Sequence, residues 1–464
     1  MPLRHLRANV SLRHKLALVS VGAFQVVPAP RSRCLRTMEV EMSREAQRRV
    51  RRFGVAAVAV MVTMAGPVFA SANPAGAAPP LPQVDEFYQP PDDFASAAPG
   101  TILRSRPIQP VVPLPAQAWQ LLYRTTDLFE QPDVTVTTVF LPDNVRPDRP
   151  LISQQMFEDA SGPLCVPSYG LQTGARSSME TTGQLIDLQT LLQHGWVVSV
   201  PDFGGRSGHF PVGEEPGYMV LDGIRAAKQF APLGLGSETR IGLYGYSGGG
   251  FATGWTAEVQ PGYAPELDLA GAAYGGPGPD INAALFTTNG GPFSAIVGSG
   301  LSSYYATYPE VKAAMQPHLT PEGVAMMEQI QTQCLSVTLV QQFLSDWKRY
   351  FDIPLDQVLA LPPLAEAINE ARLGTHAATA PLYVFQAVHD EVIPVASTDR
   401  MVEDLCARGA RVTYIREEFA EHMSTILSAA PAAFAWLRER LDTGTPVPTG
   451  CHTTTVPSQL LAPK

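Results

Sequence analysis

Ser247, Asp390 and His422 are the residues whose types and order could carry nucleophilic chemistry. Ser247 lies in Gly245-Tyr246-Ser247-Gly248-Gly249, a G-x-S-x-G pattern that follows the β-prone run Arg240-Ile-Gly-Leu-Tyr and precedes a helix-compatible segment. A strand that turns sharply into a helix at a serine needs small flanking residues, and it raises the hydroxyl over the sheet edge. A serine hydroxyl is a weak nucleophile at neutral pH. It needs an imidazole to take its proton, and the imidazole needs a carboxylate to fix its tautomer and offset its charge. Asp390 follows the apolar run Leu382–Val388, and His422 lies in the segment Glu417–Met423 after the next β-prone run. Ser, Asp, His is the chain order of α/β-hydrolases, unlike the trypsin-like and subtilisin-like orders. The pentapeptide alone also fits an ordinary glycine-rich turn; the other two residues in this order decide against that. Glu391 and Asp399 compete with Asp390, which is the first carboxylate past its strand. His389 cannot easily turn back onto Asp390, so packing is its expected role, and His209, His318 and His376 lack a matching strand context.

An acyl-transfer site also needs donors for the developing alkoxide. The N–H of Gly248, the residue after the nucleophile, is one. The second usually comes from a loop after an early strand, often with an H-G-G-G motif, which is absent; the equivalent place holds Gln154-Gln-Met-Phe-Glu-Asp-Ala160. The N–H of Asp159 or its neighbour is the expected donor. An ionised Asp159 facing the alkoxide would repel it, so this carboxyl must point away, be paired or be protonated.

Parallel strands deliver such groups to one sheet edge, because βα loops all lie at strand C-termini. Strands are predicted at Trp119–Thr125, Val134–Leu141, Gly195–Val200, the run into Ser247, Ala270–Tyr274, Pro381–Val388 and Arg411–Arg416. Helices are predicted at Tyr218–Phe230, Phe251–Val259, Ser397–Arg408 and Ser424–Leu441. This alternation implies an α/β fold with a mostly parallel sheet covered on both faces. It breaks between about Gly275 and Leu373, where helix-like runs replace strands; one has Leu339, Phe343, Trp347 and Phe351 at i, i+4 spacing. The expected division is a hydrolase core at residues 100–280 and 373–464 with a helical cap or lid at 281–372. A Pro/Ala-rich arm, 78–99, is expected to be extended and poorly ordered.

The 464 residues carry a net charge of −10, split into +9 over residues 1–72 and −19 over the remainder. So acidic a body is a poor match for phosphate backbones, which excludes nucleic acid as a partner. Residues 1–77 read as an N-terminal extension and secretory signal peptide. Arg44, Arg48, Arg49, Arg51 and Arg52 precede the apolar run Phe53–Ala65, and small residues follow at Ala70-Ser-Ala72 and Ala75-Gly-Ala77. Met38 and Met42 each offer a start, so residues 1–37 read as lying upstream of the signal. Cleavage removes Cys34 and leaves Cys165, Cys334, Cys406 and Cys451, whose three pairings spacing alone cannot separate. No C-x-x-C or Cys/His spacing suggests zinc, and disulfides suit an exported chain.

The chain resembles the secretory lipase family of the α/β-hydrolases over about residues 85–455. The likeness rests on Tyr123-Arg-Thr-Thr126, Phe157-Glu-Asp-Ala160 with Cys165-Val-Pro-Ser-Tyr169, Val200-Pro-Asp-Phe203, Leu221-Asp-Gly-Ile-Arg-Ala-Ala227, the Ser247 pentapeptide, Asp390-Glu-Val-Ile-Pro394 and Glu421-His422. It implies a triad of Ser247, Asp390 and His422, oxyanion contributions from Asp159 and Gly248, and a helical lid before the strand carrying the acid. It also implies disulfides Cys165–Cys334 and Cys406–Cys451. Phe157 departs from the tyrosine that family members often carry, which leaves the support of the oxyanion loop open.

The function expected is a secreted serine ester hydrolase that cleaves small-molecule or lipid esters through an acyl-enzyme. A lipid interface is its expected setting, and the expected state is a monomer without metal or cofactor. Acyl transfer or peptide cleavage by the same triad is the alternative within enzymes. A hydrolase-like binding protein is the alternative outside them.

Overall fold

The computed structural model describes residues 78–446 and 449–461; the expected extension and signal peptide, 1–77, lie outside them. The strands are β1 Ile102–Ile108, β2 Ala116–Thr126, β3 Pro132–Pro142, β4 Leu151–Gln155, β5 Val197–Pro201, β6 Ile241–Tyr246, β7 Leu269–Gly275, β8 Leu382–Ala387, β9 Val412–Glu417 and β10 Cys451–Val456. They form one sheet in the order β1-β2-β3-β5-β4-β6-β7-β8-β9-β10. The β1–β2, β2–β3 and β3–β5 pairs are antiparallel, and every pair from β5 to β10 is parallel.

Side chains alternate across a strand, and here successive residues feed two separate cores. Ile241 and Leu243 of β6, Tyr274 of β7 and Val384 of β8 pack with the helices Glu215–Gln229 and Gly248–Tyr263. Tyr244, Tyr246, Ala273 and Phe385 face the opposite way, onto Leu185–Gln193 and His422–Leu441. β4, β6 and β8 are buried at every position, as central strands covered on both faces must be. The expected α/β-hydrolase layering is therefore present, with predicted strands and helices shifted by a few residues at their ends.

Three expectations are corrected. The arm 78–99 is not an extended tail: Phe87 and Tyr88 are buried against Leu122, Val134 and Val136. Its Asp85 pairs with Arg106 at 2.7 Å, and the Tyr88 hydroxyl lies 3.0 Å from Ser168 Oγ. Burying an aromatic stabilises by about 1.5–3 kcal/mol, enough for two rings to hold a short Pro-rich segment down. The run 339–351 is not one helix. The helix Leu335–Gln341 stops, Leu344 takes a φ of 59°, and a 3-10 turn covers Trp347–Tyr350. Tertiary bonds win over periodicity there: Leu344 N–H donates to Gly291 O, and Asn289 Oδ1 accepts from Trp347 N–H. Trp347 and Phe351 are buried while Phe343 is 37% exposed, so the stripe is split. His389, expected to pack, is exposed.

From β7 to β8 the chain is helical, running from Ile281–Thr288 and Ala295–Thr307 to Pro362–Glu370, with no strand. The disulfide Cys165–Cys334 ties this segment to the core across 169 residues of sequence, and Cys406–Cys451 ties the helix Val395–Ala407 to β10. Both are the pairings that the resemblance implied.

Candidate active site

The turn at Ser247 is built by backbone contact. Its φ and ψ are 55° and −124°, a conformation costing on the order of 1–3 kcal/mol for a non-glycine residue. Surrounding bonds hold it there: Ser247 N–H donates to Gly275 O at 2.9 Å, and Ser247 O accepts from Phe251 N–H at 2.9 Å. A Cβ on Gly249 would come within 1.9 Å of Gln155 O at the end of β4, so no side chain fits there beside the Ser247 turn.

β8 and β9 deliver the other two groups to the same edge. His422 opens the final helix, capped by Glu421 and Ser424 in a reciprocal box. Its Nδ1 lies 2.8 Å from Asp390 Oδ2 and its Nε2 3.0 Å from Ser247 Oγ. A carboxylate only accepts, so Nδ1 carries the proton and Nε2 is left to accept from the serine hydroxyl. Asp390 is itself well fixed. Oδ1 accepts from the N–H of Val392 and Ile393 at 2.9 and 2.7 Å, and Oδ2 accepts from Gln386 Nε2 at 2.8 Å. Burial alone would push the His422 pKa down, but the charge and hydrogen bond of Asp390, with Glu391 and Asp159, outweigh it and raise it. Glu391 does not touch the imidazole; its Oε2 accepts from the His422 backbone N–H at 3.0 Å. Gln386 and Tyr246, whose hydroxyl donates to His422 O at 2.6 Å, were missed from sequence, and Glu391 was weighed only as a rival to Asp390, because their roles run through backbone and neighbour contacts.

The second side is less settled electrostatically. Gly248 is the first residue of its helix, so its N–H has no intrahelical acceptor. Asp159 has a φ of 50°, and its Oδ1 is buried without a hydrogen-bond partner. A Cβ on Gly248 would fall 1.7 Å from that oxygen, so the carboxyl lies directly over the residue after Ser247. It is therefore neither turned away nor paired. Burial, then the charge of Glu180, lifts its pKa to about 7, with His422 opposing. The Phe157 departure has a physical answer: the Gln184 side chain accepts from Phe157 N–H at 3.0 Å and donates to Phe157 O at 3.3 Å. Next to Asp159, buried Glu158 accepts from Phe203 N–H at 2.8 Å.

Ser247, Gly248 and Asp159 line a cleft whose other walls are almost wholly apolar, among them Phe210, Phe251, Ile281, Leu285, Ile296 and Ile393. Such a cleft suits an acyl chain with its carbonyl at the serine. Among the described residues no cluster of three or more His, Cys, Asp or Glu could hold a metal ion.

Comparison with known proteins places this geometry. The family described as secretory lipase matches residues 171–449, more than half of the chain. The chain belongs to the secretory lipase family. A Mycobacterium tuberculosis protein named as a probable inactive lipase is 38% identical over 78% of this chain and 83% of its own. A secreted triacylglycerol lipase of Malassezia globosa is 35% identical over 80% of this chain and 84% of its own. Among solved structures, Candida antarctica lipase A has a TM-score of 0.76 at 27% identity, covering 82% of this chain and 90% of that one. This member of the family therefore has the α/β-hydrolase fold, and the relatives it matches are named as lipases, one of them as probably inactive. The Ser247, Asp390 and His422 expected from sequence are brought into one hydrogen-bonded line; Asp159 and Gly248 are brought against each other beside it.

Proposed function

We propose that the protein is a secreted serine carboxylic-ester hydrolase that cleaves lipid-like esters through an acyl-enzyme on Ser247. His422 takes the Ser247 proton as Oγ attacks the ester carbonyl, and Asp390 stabilises the imidazolium. The N–H groups of Gly248 and Asp159 receive the alkoxide, the alcohol leaves with the His422 proton, and water repeats the sequence to release the acid. The observation that carries this reading is the Ser247–His422–Asp390 line, whose serine lines an apolar cleft. Secretion is supported by the N-terminal sequence, by two disulfides and by relatives named as secreted. Residues 281–372 act as the cap in this reading. Their exposed Phe286, Val340, Phe343 and Leu344 offer apolar contact to a lipid interface, and the catalytic unit is a monomer.

Turnover of nitrophenyl esters from acetate to palmitate by the parent and by Ser247→Ala tests the proposal. Loss of at least about 10⁴-fold in kcat with an unchanged fold is expected; undiminished turnover overturns it. The name of the mycobacterial relative keeps a non-catalytic reading in play. A fluorophosphonate that fails to label the folded parent would favour that reading, and product transfer to an added alcohol in preference to water would favour an acyltransferase.

A further inference from the structure

We propose that Glu391 is a positioning residue for His422, fixing the histidine's backbone while its neighbour Asp390 fixes the ring. The inference rests on the triad reading and goes beyond it. Asp390 and Glu391 are consecutive, yet their carboxylates meet His422 at different points: Asp390 Oδ2 at the imidazole Nδ1, 2.8 Å away, and Glu391 Oε2 at the backbone N–H, 3.0 Å away. One loop therefore holds both ends of the histidine. The backbone bond is not part of the helix's own capping, because Glu421 and Ser424 already satisfy each other's N–H groups. His422 N–H is one of the first-turn donors that a helix cannot satisfy internally, and Glu391 supplies its acceptor from another segment. Two further contacts complete the frame: Tyr246 donates to His422 O at 2.6 Å, and a Cβ on Gly276 would come within 3.2 Å of His422 Cε1. With ring and N–H tied to the loop after β8 and C=O tied to Tyr246 of β6, Nε2 has little freedom to drift from Ser247 Oγ. Displacement of a reacting group by about 1 Å costs on the order of 10²-fold in rate.

Glu391 also acts through its charge. The groups facing the imidazole are Asp390, Glu391 and Asp159, all of which favour its protonated form, whereas burial opposes it. Glu391 Oε1 is buried without a hydrogen-bond partner, and burial raises the pKa of this carboxyl while the His422 N–H bond and the His422 charge oppose the rise, so the charge acts on the imidazole once Glu391 is ionised. The two roles separate by substitution. Glu391→Gln keeps an oxygen able to accept from His422 N–H but removes the charge. The acid limb of kcat/KM should then move to lower pH, with a fall of only a few-fold in plateau kcat. Glu391→Ala removes the acceptor as well and should lower kcat by on the order of 10²-fold. KM for a short soluble ester should change little. If Glu391→Ala does not fold, the Gln variant's pH profile still decides. A merely structural role predicts a lower Tm for both variants with the acid limb and plateau kcat of the parent, and that result overturns the proposal. Loss of all turnover in Ser247→Ala alongside it would leave the catalytic reading standing, so the two failures are distinguishable.

Discussion

Two buried aspartates flank Ser247, and the protein treats them in opposite ways. Asp390 receives four hydrogen bonds, from two backbone N–H groups, Gln386 and His422. Asp159 lies on the far side of the same serine with an oxygen that receives none, and burial lifts its pKa to about 7. A carboxylate out of water is tolerated when donors replace its hydration; without them the group neutralises instead. The acid–base side thus surrounds its carboxyl with donors, while the oxyanion side leaves its carboxyl to burial, which favours the neutral form. The division suits the acyl transfer proposed above, in which positive charge would develop at His422 and negative charge at the substrate oxygen over Gly248.

Asp390→Asn would break the first side and should have the largest effect. An amide in place of Oδ2 can present N–H₂ to Nδ1, which favours the wrong imidazole tautomer, and kcat should fall by on the order of 10⁴-fold with the fold intact. Steady-state kinetics on a short nitrophenyl ester, with circular dichroism as the fold control, measures this. A loss under about tenfold would mean that another carboxylate, Glu391 first, supports the imidazole. Asp159→Asn sharpens the second side and should do much less. In the parent, Asp159 is neutral below about 7 and charged above it, so kcat/KM should decline as pH rises through that value while His422 remains a competent base. The Asn variant has no charge to gain, and its alkaline decline should vanish, leaving it several-fold faster than the parent at pH 8–9. A parent profile flat through pH 9 would show that the Asp159 charge does not reach the alkoxide.

How far the two sides were legible in sequence differs for the same physical reason. Ser247, Asp390 and His422 each come after a strong β-prone run, and parallel strands carry the residues at their C-terminal ends to one edge, so local pattern plus topology located them. The oxyanion side depends on contacts no window of sequence contains. The positive φ of Asp159, its approach to Gly248 and the Gln184 clamp on Phe157 join residues far apart in the chain. Gln184 could have been suspected only as a buried polar residue in an apolar helix start. The same limit explains the arm, where two aromatics outweigh a Pro/Ala composition, and β10. The run Cys451–Val456 is threonine-rich and exposed, pairs only at the sheet edge, and carries little periodic signal. The split of the 339–351 stripe came from loop–loop bonds that override a good helical spacing.

Glu258 lies between the two aspartate cases and gives the smallest, most discriminating test. It sits in the helix that Ser247 opens, far enough along to leave the chemistry alone, and its carboxylate accepts from Gly374 N–H at 2.7 Å and His376 N–H at 2.9 Å. That loop is where the chain returns from the helical segment to β8. Despite these donors, burial raises its pKa to about 7, with the backbone bonds and Arg408 opposing. The unfolded chain gives up this proton at about 4.3 and the folded chain at about 7, so between those values the folded state binds more protons. Stability from this group is therefore fully present below about pH 4 and is lost as pH rises through about 7. Asp187 and Asp202, also raised to about 7 by burial, add slope of the same sign, and the parent should melt higher at pH 5 than at pH 8. Glu258→Gln mimics the protonated form at every pH. Its Tm should lie close to that of the parent at pH 5 and above it at pH 8, with kcat/KM unaltered, so the pH slope becomes shallower without disappearing. An unchanged slope would mean that two or three backbone donors suffice to hold a buried carboxylate charged, and the contrast between Asp390 and Asp159 would then need no more than those few donors to explain it.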